Sequence, residues 1–185
     1  MKILYTGAIK QGGMQNDPNK SLGHLVSGSQ ISNDQLANLF PNISSLSLQT
    51  KKRDTKMIAL YNDDGVDLSN LQFSFDLVSS PICKYKIAFV NPTIKGTDSC
   101  FEEIQNSTSL PYYATFNEIT PSSVFTIPSM LNATYLGIWV TREFNIVTKK
   151  TCADWSAELI TPPTVQDNEH FQFTLTYSDD FSSSI

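Results

Sequence analysis

Two histidines, His24 and His170, are the imidazole bases that the sequence offers for hydrolytic catalysis. A nucleophilic Ser or Cys needs such a base together with a group that orients it. His24 lies in a Gly- and Ser-rich stretch, and His170 opens an alternating, strand-like pattern. Neither is accompanied by a Gly-x-Ser-x-Gly motif. The sequence therefore predicts structural or solvated histidines and no catalytic triad.

Paired carboxylates could serve a glycosidase, in which two acidic side chains flank one bond. The candidates are Glu102, Glu103, Glu118, Glu143 and Glu158. Adjacent residues of a strand point to opposite faces, so Glu102 and Glu103 cannot share a cleft if their segment is extended. The other three glutamates lie beside predicted turns, where solvated carboxylates are common. These patterns favour a protein that is not an enzyme.

Metal and cofactor motifs are weak. Asn62-Asp63-Asp64-Gly65 resembles part of a calcium loop, but position twelve from Asp63 is Ser74 and not the glutamate of an EF-hand. A hairpin turn is the simpler interpretation of these four residues. Gly12-Gly13 precedes neither a Lys-Ser/Thr pair nor a long helix, so it does not match a phosphate-binding loop. We expect no cofactor and no metal.

The cysteines also give no metal or disulfide pattern. Cys83, Cys100 and Cys152 are odd in number, widely spaced and free of a Cys-x-x-Cys pair. A disulfide framework needs an even set, and a zinc knuckle needs closely spaced pairs. The sequence predicts three reduced thiols.

Aromatic side chains on a surface could bind sugars by stacking, although sandwich cores need large aromatics too. Trp139 lies in the most apolar run of the chain, which predicts a core position. Tyr112-Tyr113 and Trp155 lie in more polar stretches and are the better contact residues, for a ligand or for another subunit.

Alternating apolar and polar residues predict an all-β protein. Seven or eight short strands are separated by Asn, Asp, Gly and Pro connections, which is typical of an antiparallel two-sheet sandwich of the immunoglobulin-like type. The runs that predict strands are Lys2–Thr6, Met57–Tyr61, Leu71–Leu77, Tyr85–Phe89, Tyr113–Phe116, Val124–Ile127, Tyr135–Val140 and Phe171–Tyr177. The run Tyr135–Val140 is apolar at both odd and even positions around Gly137, which indicates a central strand that is buried on both faces.

The first 44 residues differ from the rest because they are rich in Gly, Ser and Asn. They predict an extended N-terminal arm with little to bury and a short helix near 33–40, capped by Ser32 or Asn33 and stopped by Pro41. A sandwich over 45–180 and a polar tail over 181–185 follow. An arm of this kind must lie on its own domain or on a neighbouring subunit, and we expect Lys10–Ser32 to lie on a neighbour.

Charge and hydropathy exclude other classes. The net charge of −5 disfavours nucleic acid as the main partner, because a surface that follows phosphates needs excess Lys and Arg. No stretch approaches the roughly 18 apolar residues of a membrane span. The apolar run Ile3–Tyr5 is too short for a signal peptide, so we expect folding in a cytoplasm.

Short motifs along the chain resemble virion proteins of tailed bacteriophages, including the crAss-like phages of Bacteroides. They are Met1–Gly7, Leu22-Gly23, Asn38–Ser44, Met57–Asn62 and Gly137–Arg142. Related sequences often have Pro-Gly before the last of these, where this chain has Leu131–Thr134. The resemblance implies a non-enzymatic building block of a tail or a head-to-tail connector, assembled in the host cytoplasm.

These observations predict a structural protein that forms a ring or collar with copies of itself and other virion proteins. The residues expected to contact neighbouring subunits are Leu22, Leu25, Leu36, Leu39, Phe40 and Trp155. A carbohydrate-binding or adhesive sandwich that uses Trp155 and Tyr112-Tyr113 is the alternative.

Overall fold

The computed structural model describes residues 1–31, 38–40, 53–77, 83–95, 98–144 and 171–179. Its regular structure consists of β-strands and one short 3-10 turn, Pro18–Lys20. The strands are β1 (Lys2–Ala8), β2 (His24–Gln30), β3 (Arg53–Tyr61), β4 (Leu68–Leu77), β5 (Cys83–Val90), β6 (Thr93–Lys95), β7 (Asp98–Phe101), β8 (Asn117–Ile119), β9 (Val124–Met130), β10 (Tyr135–Phe144) and β11 (Phe171–Asp179).

The strands form two sheets of unequal size. The larger has the order β6-β7-β2-β1-β3-β10-β5-β8, and the smaller has the order β11-β4-β9. Every pair of neighbouring strands is antiparallel. The prediction of an all-β, antiparallel two-sheet sandwich is confirmed.

The main core lies between the two sheets. Ile58, Leu60, Ile138 and Val140 line the larger sheet on its inner face. Residues from the smaller sheet and its turns complete the same cluster, among them Leu68, Leu71, Phe73, Phe75 and Met130. Alternate residues of a strand point to opposite faces of the sheet. The positions of the apolar residues in each strand therefore predict which of its two faces is buried.

The larger sheet is also covered on its outer face. Met57, Ala59, Ala88 and Trp139 have the opposite parity and pack with Phe101, the last residue of β7, and with Ile104 from the loop that follows it. Trp139 is fully buried, as its sequence context predicts. Because both faces are covered, the central strands β3 and β10 are buried along nearly their whole length. The prediction that the strand around Gly137 is central is confirmed, since β10 lies between β3 and β5.

The N-terminal residues correct one expectation. Residues 1–31 are part of the sandwich instead of an extended arm with little to bury, because β1 lies between β2 and β3 in the larger sheet. Leu4, Tyr5, Ala8 and Val26 are all buried in the cores of their own chain. Sequence patterns miss β2 because small polar residues replace the usual β-branched ones. Residues 38–40 form a bend, while 32–37, which include most of the predicted helix, lie outside the described residues.

Two further corrections concern the long connection before β9. Tyr113–Phe116 is not a strand, although its sequence predicts one, because Ala114 and Phe116 pack over the outer face of the sheet instead of joining it. The segment 91–109, which contains none of the runs that predict strands, forms the short hairpin β6–β7. The predicted boundary at residue 44 and the tail over 181–185 lie outside the described residues.

Candidate interaction surface

Exposed apolar side chains are concentrated in two loops. Among the residues that the structure describes, seven large hydrophobic side chains are exposed. Five of the seven lie in the segments 9–14 and 110–113, and they are Ile9, Met14, Leu110, Tyr112 and Tyr113. We call these five residues the loop-end surface. Concentration of apolar area on an otherwise polar surface is typical of a contact site.

The sheet brings the two loops to the same end of the molecule. Leu25 of β2 pairs with Ala8 on one side and with Cys100 on the other. Neighbouring strands lie about 4.8 Å apart, so the ends of β1 and β7 are about 10 Å apart at this level. Both strands are antiparallel to β2, so they run in the same direction and their following loops leave the sheet at one edge.

A carboxylate holds the tyrosine loop in place. The backbone N–H of Tyr112 donates to Glu102 Oε1 at 2.5 Å, and that of Tyr113 donates to Glu102 Oε2 at 3.1 Å. The two tyrosine rings lie edge to face, with centroids 4.8 Å apart and planes 83° apart. Their exposed fractions are 84% and 83%. The loop therefore presents two aromatic side chains from a fixed backbone.

Hydrogen bonds along β2 hold the other loop. Gly12 N donates to the Val26 carbonyl at 2.9 Å, and Gly28 N donates to the Gly13 carbonyl at 3.0 Å. Ser27 Oγ accepts from Gln15 N and lies within hydrogen-bond distance of the Gly13 and Gln15 carbonyls. Small side chains in β2 allow this close approach. Segment 9–14 is thus a fixed projection with Ile9 almost completely exposed.

Each loop also carries an exposed charge. Lys10 follows Ile9, and Glu103 follows the glutamate that holds the tyrosine loop. Neither side chain forms an ion pair within the described part of the chain. The loop-end surface is therefore flanked by a positive group on one loop and a negative group on the other.

The residues predicted to contact other subunits lie mostly inside the fold. Leu39 belongs to the main core, and Phe40 packs against it. Leu22 packs against the outer cluster, and Leu25 is half-buried in β2. Leu36 and Trp155 lie outside the described residues. Contact of these side chains with a neighbouring subunit stays a prediction.

Within the described part of the chain, no contact joins His24 to any of the candidate glutamates. His24 starts β2 and its Nδ1 lies 3.3 Å from the Ala8 carbonyl oxygen. Glu118 lies 3.9 Å from Lys84, and Glu143 lies 2.8 Å from Lys86. Glu102 is occupied with the tyrosine loop, as described above. His170 and Glu158 lie outside the described residues.

A buried ionic cluster, which the sequence patterns do not predict, lies on the neighbouring strands β3 and β10. Asp54 and Lys56 of β3 are 2% and 1% exposed, and their Oδ1 and Nζ atoms are 3.5 Å apart. Arg142 Nη2 lies 3.3 Å from the other oxygen of Asp54, and its guanidinium stacks over the ring of Phe40 at 4.7 Å. The sequence signal was available, because Asp54 and Lys56 come just before the apolar run Met57–Tyr61 and Arg142 comes just after the apolar run Tyr135–Val140.

The turn over 62–65 connects β3 to β4, but it is not the hairpin turn that the sequence predicts, because the two strands lie in different sheets and do not pair. Asn62 is buried, and its amide donates to the carbonyls of Val66 and Met130. Asp63 lies 2.7 Å from Lys2 Nζ and 2.9 Å from the α-amino group of Met1. The hydrogen bond from Lys2, followed by that from the amino group, lowers the pKa of Asp63 to about 2.

Metal ligands are not clustered in the described part of the chain, where no group of three His, Cys, Asp or Glu side chains could hold an ion. Cys83 and Cys100 are buried free thiols, and Cys152 lies outside that part. None of the helices described is long and apolar enough to cross a membrane. No protein-family model, curated protein or solved structure matches the chain.

Proposed function

We propose that the chain is a structural protein of a bacteriophage virion, a subunit of a tail or of a head-to-tail connector that acts through protein–protein contacts. The observation that carries the proposal is the loop-end surface, where five exposed apolar side chains project from two loops held by hydrogen bonds. Fixed loops bind with a smaller loss of conformational entropy than mobile ones. The virion itself is inferred from the motifs Met57–Asn62 and Gly137–Arg142, which resemble phage proteins.

The composition of purified particles tests this proposal. Particles assembled in the host cytoplasm are purified, and the chain is quantified by mass spectrometry against the major capsid protein. We expect a fixed ratio that corresponds to several copies per particle. A chain that is abundant in infected cells and missing from the particles would overturn the proposal.

Carbohydrate binding is the second candidate, and the exposure of Tyr112 and Tyr113 is the observation that favours it. Aromatic faces bind sugars by stacking, and the apolar ring and polar hydroxyl of Tyr suit a site that is partly exposed to solvent. A glycan array with the wild type and a Tyr112→Ser/Tyr113→Ser variant tests it. Signal that the variant loses would support a glycan site, and equal signals from both proteins would exclude one at this loop.

A further inference from the structure

We propose that the loop-end surface is a self-complementary contact through which two copies of this chain pair about a two-fold axis. The inference deepens the proposed function, because it names the partner and the surface for one of the contacts. It uses the positions of the two loops, their exposed apolar area and their flanking charges.

The apolar area is large enough to form the centre of a protein interface. Two tyrosines that bury about 150–250 Å² each supply roughly 300–500 Å². Each partner of a stable complex contributes about 800 Å², so the tyrosines would provide about half of that area. Ile9 and Met14, which are 99% and 84% exposed, add to it. Tyrosines at the centre of an interface contribute a large share of its binding energy.

The shape of the surface favours a protein over a sugar as its occupant. The planes of the tyrosine rings are 83° apart, so the flat face of one sugar cannot stack on both rings. Ile9 has no polar side-chain atom and Met14 has only a weakly accepting thioether, so neither offers a stacking face or a strong hydrogen bond to a hydroxyl-rich ligand. Aliphatic and aromatic side chains together suit the apolar centre of a protein contact.

The charges favour a second copy as the partner. In the proposed two-fold contact the same surface is used twice, with each loop of one copy against the other loop of its partner. The loop with Ile9 and Lys10 would then lie on the loop with Tyr112, Tyr113 and Glu103. Each copy supplies one positive and one negative flank, so both pairs across the axis have opposite signs. Such a contact joins copies in pairs, and closure of a ring would use another surface.

Sedimentation equilibrium of the full chain, from micromolar to millimolar concentration, tests the pairing. We expect the wild type to approach twice the 20.6 kDa mass of one chain. Lys10→Glu and Glu103→Lys should each raise the dissociation constant by roughly tenfold or more, because like charges then face each other. The double variant restores opposite signs and should return the constant close to that of the wild type. Tyr112→Ser/Tyr113→Ser should abolish pairing.

Val124→Thr and Leu131→Ser are the matched controls, because both remove an exposed apolar side chain outside the loop-end surface. They should leave the dissociation constant unchanged, and thermal unfolding of every variant verifies that it is folded. A wild type with the mass of one chain at all concentrations would overturn the inference. Failure of the double variant to recover pairing would do the same. Both results are independent of particle composition, so they are distinguishable from failure of the proposed function.

Discussion

Asp54 is the residue on which the buried ionic cluster depends, because it lies between Lys56 of its own strand and Arg142 of the neighbouring strand β10. Arg142 and Asp54 are directly opposite each other in the register of the two strands. Desolvation of three charges is costly, and the anion offsets that cost by attracting both cations. Removal of the Asp54 carboxylate alone would leave two positively charged side chains in a site that is almost completely shielded from water.

We therefore predict that Asp54→Asn lowers the free energy of unfolding by roughly 3–5 kcal/mol, which is typical when one partner of a buried ion pair is lost. Glu143→Gln is the matched control, since its carboxylate pairs with Lys86 at a partly exposed site. This control should cost less than about 1 kcal/mol. Urea denaturation at constant protein concentration measures both. Equal losses of unfolding free energy in the two variants would argue against a desolvated ionic cluster at Asp54.

Asp63 gives a prediction about pH. Its pKa of about 2 in the folded protein is below the ordinary value of an unfolded aspartate, about 4. The folded state therefore gains stability from the ionised carboxylate above pH ~4, and this gain is lost as the pH falls toward 2. Stability of the wild type should fall faster over this interval than that of Asp63→Asn. Parallel pH curves for wild type and Asp63→Asn would contradict the prediction.

At the scale of elements, the start of β2 depends on the absence of a side chain. Gly23 has φ +97°, and a Cβ there would overlap the backbone carbonyl of Glu102. The close approach joins the N-terminal residues to the loop that carries the tyrosines. Gly12 also has a positive φ, of +69°, but a Cβ at that position would meet open space.

Gly12→Ala should therefore cost only the left-handed conformation, about 1–2 kcal/mol. Gly23→Ala should cost roughly 1–3 kcal/mol more, because the two backbone segments must move apart. Chemical denaturation gives the difference. Equal costs at the two glycines would show that the contact with Glu102 is easily relaxed.

Strands with a continuous apolar run, as at 57–61 and 135–140, or with regular apolar alternation, as at 71–77, could be predicted from the sequence. Strand β2 could not, because Ser27 and Ser29 are buried through hydrogen bonds to the segment 13–15 and not through apolar packing. The prediction for Tyr113–Phe116 failed for the opposite reason, since Ala114 and Phe116 are partly buried in a loop that packs on the outer face of the larger sheet. Local sequence patterns indicate which residues are buried, but they do not indicate which element of the fold covers those residues.

At the scale of the whole molecule, the fold distributes its surfaces unequally. Both faces of the larger sheet are covered, while apolar side chains remain exposed at the loop end. The sequence singled out Tyr112-Tyr113 as a contact pair, and both are exposed. It could not place the segment 9–14 and the tyrosine loop at the same edge of the sheet, because that arrangement follows from the pairing of β2 with both β1 and β7. The low charged fraction of 17% suits a chain with much contact surface.

Zero-length cross-linking between copies tests the central claim, contact through the loop-end surface, most directly. Equal amounts of ordinary and isotopically heavy chain are mixed in dilute solution, concentrated and treated with a carbodiimide, which joins a lysine to a carboxylate in direct contact. We predict cross-linked peptides that join Lys10 of a heavy chain to Glu103 of an ordinary one, and the reverse. Lys10–Glu103 peptides that are only all-heavy or all-ordinary, or none at all, would contradict the account.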